Sequence, residues 1–181
     1  INAFNMMDGM DGLAGGLALV TLLALGYLYL DADIHSGFLL SILLAAAIIP
    51  YLVLNLGMPP FGHGSRIFMG DAGSTLIGFS IFWLLMHGSQ SQETAFRPVT
   101  ALWLFGIPLM DMIAIMVRRV QKGMSPFKAD QTHLHHIFMR AGYSSRATLL
   151  IILVASALIA GLGISLDRFG APVVDDHGVP R

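Results

Sequence analysis

Five long apolar stretches dominate this chain of 181 residues and leave few folds open to it. A helix needs roughly 20 apolar residues to cross the hydrocarbon core of a bilayer. The composition agrees, because only 12% of the residues are charged, against roughly 25% in soluble domains. The sequence therefore predicts an all-α membrane protein, a polytopic transmembrane helix bundle with about five spans. The predicted spans are Leu13–Leu30, Phe38–Leu56, Ser74–Met86, Thr100–Val117 and Ala147–Leu166.

Basic residues are divided unevenly between the two ends of this predicted bundle. Five spans place the opening residues and the loops Asn55–Gly73 and Arg118–Arg146 on one side, with seven Lys and Arg residues. The other side holds only Arg97, Arg168 and Arg181. Because cytoplasmic loops carry an excess of Lys and Arg, we expect the first side to face the cytoplasm.

The domain organisation follows from the same pattern. No basic stretch or cleavage site precedes Ile1, so we do not expect the chain to begin with a signal peptide. We expect residues 1–166 to be the C-terminal part of one transmembrane domain that begins before Ile1. Residues 167–181 are expected to form an irregular extracytoplasmic tail.

The first polar segment, NAFNMMDGMDGLAGG, carries amides and carboxylates at intervals of three residues. Side chains at this spacing lie on roughly the same face of a helix. Gly9 and Gly12 follow two of the acids and would let a ligand approach the backbone. The alternative is an ordinary helix start, where Asp is favoured in the first turn. The regularly spaced residues are Asn2, Asn5, Asp8 and Asp11.

The second polar segment, RIFMGDAGSTLIGF, places Asp71 among small residues directly before an apolar stretch. A carboxylate at a tight turn and a helix N-terminus suit a site for a metal ion and a phosphate. A capping role is the alternative for Asp71. Phe68 offers an aromatic face for a base, or it packs at the membrane interface.

The third polar segment, RRVQKGMSPFKADQTHLHHIFMRAG, combines a histidine cluster with several basic residues. Histidines can bind zinc, but the chain has no cysteine to add a ligand. The adjacent His135 and His136 also cannot both face the same way on a regular helix. Histidine and arginine together suit phosphate groups better, as hydrogen-bond donors or proton carriers. A solvated basic loop is the alternative. The residues in question are Arg119, His133, His135 and His136.

Taken together, the three segments predict metal-assisted phosphoryl transfer on one face of the membrane. Carboxylates alone would repel a phosphorylated substrate, whereas Mg²⁺ binds one or two carboxylates plus substrate phosphates. The formal net charge of −1 gives no indication of nucleic-acid binding. Asp111 lies inside a predicted span, where an acid indicates function by default. A proton-coupled or ion-coupled transporter that uses Asp111, and a structural scaffold, are therefore the competing hypotheses.

The chain resembles the polyprenyl-phosphate N-acetylhexosamine-1-phosphate transferase family from Asn2 to about Arg146. The matching motifs are NAFNMMDGMDGLAGG, NLG with FMGDAGSTLIGF, PLMDM, RRVQKGMSPF and HLHHIFMRAG. Within the family, HLHH and PLMDM look most like the bacterial enzyme that uses UDP-N-acetylglucosamine. The relative that uses UDP-N-acetylmuramoyl-pentapeptide, which typically has three consecutive histidines, is the alternative.

The resemblance implies a bacterial inner-membrane enzyme with a cytoplasmic active site that requires Mg²⁺, or Mn²⁺ in its place. It would transfer N-acetylglucosamine-1-phosphate from UDP-N-acetylglucosamine to undecaprenyl phosphate, release UMP and initiate envelope glycans such as O-antigen lipopolysaccharide. The oligomeric state stays open, with a homodimer among the options. The family's Asp-Asp motif would precede Ile1, and Asp175-Asp176 in the tail on the opposite face does not replace it, so this chain would hold part of the site.

The resemblance also assigns roles to single residues. It makes Asp71 the metal ligand and leaves two mechanisms open: direct attack by the lipid phosphate, or a covalent intermediate on Asp71. The candidate catalytic residues are Asp8, Asp11, Asp71, Arg119, His133, His135 and His136. The candidate substrate-binding residues are Asn5, Gly9, Met10 and Phe68, the last near uracil.

Overall fold

The computed structural model describes residue 3 and residues 9–60, 67–125 and 133–170. These residues form helices joined by turns and short loops, and no strand occurs among them. The fold class predicted from the sequence is therefore confirmed. From Leu13 onward the helices are α1 (Leu13–Asp31), α2 (His35–Asn55), α3 (Gly70–Gln90), α4 (Pro98–Leu104), α5 (Gly106–Gln121), α6 (Leu134–Arg140) and α7 (Ser145–Phe169).

Helix α1 is the centre of the bundle. Its apolar window is 67% buried, against 22% for α2 and 28% for α7. Helices α2, α3 and α7 all pack on it. A helix that is apolar on every side belongs in an interior, and α1 meets this condition with Leu13, Leu17, Leu22, Leu25 and Leu28, all fully buried. The outer faces of α2 and α7 remain apolar and exposed, as expected for surfaces in lipid.

Each predicted span lies in a helix or a pair of helices. Three helices, α1, α2 and α7, are long and apolar enough to cross a membrane, and the bent pair α4–α5 makes a fourth if it is one span. Helix α3 has 21 residues, but Gly70-Asp71 at its start and His87–Gln90 at its end make it less apolar. At the C-terminal end, Asp167 to Phe169 continue α7, and residues 171–181 lie outside the described part.

The predicted span Thr100–Val117 is broken at Phe105, where α4 and α5 meet at 80°. Pro108 has no N–H group, so the carbonyl of Leu104, four residues earlier, loses its helical partner. The buried hydroxyl of Thr21 lies 3.2 Å from the Leu104 carbonyl oxygen and 3.0 Å from that of Leu17. It can donate to the freed carbonyl, which in an apolar interior is costly to leave unpaired.

Two carboxylates tie the helices together at the end of the bundle that holds the α1–α2 turn. Asp167 accepts hydrogen bonds from the backbone N–H of Arg97 (3.0 Å), from Arg97 Nε (3.2 Å) and from the Thr100 hydroxyl. Asp31 forms an ion pair with Arg168. We call this the ion-paired end. Its two described arginines therefore stabilise contacts between α1, α4 and α7.

Asn55 ties two polar segments together at the opposite end, which we call the polar end. Its side chain is 2% exposed. Its Oδ1 accepts a hydrogen bond from the Gly12 N–H (2.5 Å), and its Nδ2 donates to the Ile67 carbonyl (2.7 Å). A buried amide is tolerated only when it is hydrogen-bonded in this way. The last residue of α2 thus connects the start of α1 to the segment that leads into α3.

We expect Asn55→Leu to loosen both segments that Asn55 joins. Leucine keeps the volume but leaves the Gly12 N–H and the Ile67 carbonyl without partners, each at a cost of about 1–3 kcal/mol. In hydrogen-exchange mass spectrometry of the chain in detergent, amides of residues 9–12 and 67–70 should exchange at least several-fold faster.

The matched control is Ser41→Ala. Ser41 is equally buried, but its hydroxyl donates only to the Gly37 carbonyl of its own helix. This variant should leave exchange at both segments unchanged. Unchanged exchange in Asn55→Leu as well would show that Asn55 does not hold the polar end together.

Candidate active site

The first and third polar segments meet at Gly9 and His135. A Cβ atom placed on Gly9 would lie 3.3 Å from Cε1 and Nε2 of the His135 ring. That distance is shorter than an ordinary van der Waals contact, so a side chain at position 9 would require the His135 ring to shift by a few tenths of an ångström. Asp8, the residue before Gly9, lies outside the described residues, as does Asn5. Their predicted positions therefore stay predictions.

The rings of the three histidines lie next to one another at the start of α6. The rings of His133 and His135 are nearly parallel, with centroids 5.8 Å apart, and the centroids of His135 and His136 are 4.1 Å apart. His133 and His135 are buried, whereas His136 is half-buried. No group of three or more His, Asp or Glu in the described ranges could hold a metal ion. The zinc alternative therefore gains no support in this part of the chain.

Asp111 is the partner of this cluster. Its Oδ2 lies 2.9 Å from His133 Nδ1, and its Oδ1 accepts a hydrogen bond from the Leu134 N–H at 2.8 Å. Asp111 is 6% exposed. The pairing supplies the contact that the sequence alone could not name, and it explains an acid within a predicted span without an ion pathway. The observation that favoured a transporter is thereby accounted for.

His135 is the most buried member of the cluster, with 1% exposure. Neither of its ring nitrogens has a hydrogen-bond partner within the described residues. Burial, followed by the neighbouring His136 and His133, lowers the pKa of His135 to about 4, although Asp111 acts in the opposite direction. The ring is therefore neutral at pH 7, with one nitrogen able to donate and the other able to accept.

Arg119 lies in the last turn of α5, the helix that carries Asp111. It is among the largest side chains in the interior, at 2% exposure. A cation near a helix C-terminus is stabilised by the helix dipole, which explains part of its position. Its guanidinium has a planar set of donors, which matches the oxygens of carboxylates and phosphates.

Asp71 lies exposed in the first turn of α3. Gly70 before it has φ 65°, a left-handed conformation that favours glycine and begins the helix. The Asp71 carboxylate has no ion pair in the described part of the chain. An external ligand can reach a carboxylate at this exposed position.

Phe68 lies three residues before Asp71 and is 78% exposed. It lines an apolar cavity of about 300 Å³ between α1, α2 and α3, together with Met69 and Gly73. An aromatic ring this exposed can offer its face to a planar ligand.

The structure joins part of the predicted site. Gly9 meets His135, and Asn55 connects Gly12 to Ile67, the neighbour of Phe68. Met10 and Asp11 are half-buried beside the start of α1. No hydrogen bond or ion pair among the described residues links Asp71 to the histidine cluster.

Sequence reasoning missed Asn55 and the partner of Asp111. The sequence did contain an indication for Asn55, because this residue is a single amide at the end of the otherwise apolar second half of α2. Asp111 carried the signal of an acid in an apolar helix, but its partner is 22 residues further along the chain. Only the fold brings the two together.

Comparison with known proteins adds an independent line of argument. Residues 1–89 match the family described as Glycosyl transferase family 4. The chain is 51% identical over 168 residues to the undecaprenyl-phosphate alpha-N-acetylglucosaminyl 1-phosphate transferase of Yersinia pestis. The aligned residues make up 93% of this chain and 46% of the relative. The protein of that name from Escherichia coli K12 is 50% identical over 164 residues, 91% of this chain and 44% of the relative.

A third protein of the same name, from Haemophilus influenzae, is 52% identical over 151 residues, 83% of this chain and 42% of the relative. The chain thus spans somewhat less than half the length of these curated relatives. The family match over residues 1–89 includes the first two polar segments. The chain belongs to glycosyl transferase family 4.

Proposed function

We propose that this protein transfers N-acetylglucosamine-1-phosphate from UDP-N-acetylglucosamine to undecaprenyl phosphate and releases UMP, the first step of an envelope glycan. The observation that carries the proposal is 51% identity across 93% of the chain to a transferase named for this acceptor and this sugar. The geometry supports it, since Gly9 meets the histidine cluster at the polar end and Asn55 ties the neighbouring Gly12 to the segment before Asp71.

A divalent cation, Mg²⁺ or Mn²⁺, fits the residues at this end. Asp71 would hold it, because its carboxylate is exposed and is an oxygen ligand of the kind that Mg²⁺ prefers. A single protein carboxylate completed by phosphate oxygens and water is also an ordinary Mg²⁺ site. When bound, the ion would neutralise charge on the phosphates.

The other residues at this end have separate tasks in the proposal. Arg119, buried at the end of α5, would bind phosphate oxygens of the nucleotide. The neutral His135 would donate one hydrogen bond and accept another without adding charge. Gly9 and Met10, with Asp11 beside them, would line the nucleotide. Phe68 would stack on uracil.

The reaction that we propose is one displacement at phosphorus. An oxygen of the lipid phosphate forms a bond to the β-phosphorus of the UDP-sugar. The bond from that phosphorus to the oxygen bridging the α-phosphorus breaks, and UMP leaves with the electron pair. Arg119 and the histidine cluster would stabilise the charge on the transferring group and on UMP. A two-step route through a phosphorylated Asp71 is the alternative that the experiment below distinguishes.

We expect Asp71→Asn to lower cation-dependent UMP release by about 10²-fold or more, because a preorganised charge at a phosphoryl-transfer site is worth that much. The assay uses membranes that carry the full-length protein, UDP-N-acetylglucosamine and undecaprenyl phosphate. Loss of cation-dependent UDP-sugar binding in the variant would support the ligand role of Asp71. Retained binding, with loss of a phosphoenzyme that the wild type forms, would favour the covalent route.

Asp33→Asn is the matched control, since Asp33 is an exposed aspartate at the ion-paired end. It should release UMP at the wild-type rate. If wild-type membranes release no UMP in the presence of Mg²⁺ or Mn²⁺, the proposed function is wrong.

We also propose that the polar end faces the cytoplasm of a bacterial inner membrane, which the excess of Lys and Arg at that end supports. The absence of cysteine makes this measurable with single introduced thiols. In intact spheroplasts, a membrane-impermeant maleimide should label Gln92→Cys, in the α3–α4 loop, and leave Gln121→Cys, at the end of α5, unlabelled until the membrane is opened. The reverse pattern would invert the orientation.

A further inference from the structure

We propose that Asp111 is a positioning residue for catalysis, which acts by fixing the ring of His133 rather than by touching substrate. This inference rests on the proposed function, because it names how one part of that site is held in place. It depends on the contacts of a single carboxylate at the polar end. Nothing in the polar segments themselves indicated it.

Both oxygens of Asp111 are engaged in different ways. Oδ2 holds the His133 ring at Nδ1, and Oδ1 holds the backbone of Leu134, the first residue of α6. The carboxylate is 4% exposed and the His133 side chain 9% exposed. One acid on α5 therefore fixes both the orientation of the ring and the start of the short helix that carries His135 and His136.

The chemistry of the pair determines which ring nitrogen is available. An ionised carboxylate only accepts hydrogen bonds, so Nδ1 of His133 must carry the proton that lies between them. The second nitrogen, Nε2, is then the atom that can accept a proton, and once protonated it can donate a hydrogen bond to a phosphate oxygen. Fixing a histidine by a buried carboxylate in this manner is a general way to select its tautomer.

A purely structural role for Asp111 is the competing explanation. Removing one member of a buried pair destabilises a protein, and the bond to Leu134 alone would help to hold α6. The two roles can be separated, because the bond to Leu134 and the bond to His133 use different oxygens. Asp111→Asn keeps the size of the side chain and an acceptor for Leu134, but it removes the charge and one of the two acceptors.

Two substitutions of His133 separate the functions of its nitrogens. In His133→Asn, the amide nitrogen can take the position of Nδ1 and still donate to Asp111, but no group replaces Nε2. In His133→Gln, the amide nitrogen can take the position of Nε2, but the donor to Asp111 is lost. If Asp111 acts only through His133, both variants should have a lower kcat for UMP release. Adding Asp111→Asn to His133→Asn should then lower kcat no further.

The test measures UMP release by the full-length protein for each single variant and for the double variant. We expect Asp111→Asn to lower kcat by about 10- to 100-fold, as loss of an orienting partner does, with KM for UDP-N-acetylglucosamine changed about twofold or less. The double variant should match His133→Asn alone. Additive losses, or wild-type kcat in Asp111→Asn, would overturn the proposal.

Asp167→Asn is the control for a general loss of stability. Asp167 is the comparably buried carboxylate of the ion-paired end, where it also accepts hydrogen bonds from a backbone N–H and from side chains. This variant should keep the wild-type kcat per folded molecule. An equal fall in kcat for Asp167→Asn would show that Asp111 acts through stability alone.

A measurement without turnover separates this inference from the proposed function. In ¹⁵N-histidine NMR spectra of the full-length protein in nanodiscs, wild-type His133 should carry its proton on Nδ1, and Asp111→Asn should shift it toward the Nε2 tautomer. An unchanged tautomer would overturn the inference even if the enzyme proves to be the proposed transferase. The tautomer shift without any UMP release from the wild type would instead contradict the proposed function.

Discussion

The polar end of this bundle depends on one buried amide. Asn55 is the last residue of α2, and each end of its side-chain amide bonds to the backbone of a different polar segment. The bond from the Gly12 N–H is buried, and buried polar groups need hydrogen-bond partners. The segment before α1 and the segment before α3 are therefore held at the end of α2. Every function proposed for Gly9 to Asp11, or for Phe68 and Asp71, presupposes this connection.

The same requirement for satisfied polar groups explains the irregular part of the fold. Pro108 frees a carbonyl in the middle of an apolar stretch, and the hydroxyl of Thr21 on the central helix lies within hydrogen-bond distance of it. The break turns α5 away from α4 by 80°. Asp111 and Arg119 both lie on α5, on the far side of this break. The direction of α5 thus decides where the acid and the guanidinium are found.

Local sequence pattern predicted the helices and the grouping of polar segments but not the contacts between them. The length of the apolar stretches was enough to locate α1, α2 and α7, because every helix that crosses the hydrocarbon core needs a similar number of apolar residues. The break at Phe105 escaped prediction, since its stabilising partner, Thr21, lies in another helix. The pairing of Asp111 with His133 escaped for the same reason. Residue types indicate which groups need partners, whereas the three-dimensional fold decides which partners they receive.

The two ends of the bundle use buried carboxylates for different purposes. Asp167 is surrounded by donors from Arg97 and Thr100, and this ion-paired end is closed by its own side chains. At the polar end, Asp111 binds one nitrogen of His133 and leaves the other without a hydrogen bond in the described part of the chain. His135 beside it is likewise unsatisfied at both nitrogens among the described residues. Because buried polar groups without partners are costly, a ligand that supplies partners for the His135 ring would stabilise this end, whereas no such buried unpaired atom occurs among the described residues of the ion-paired end.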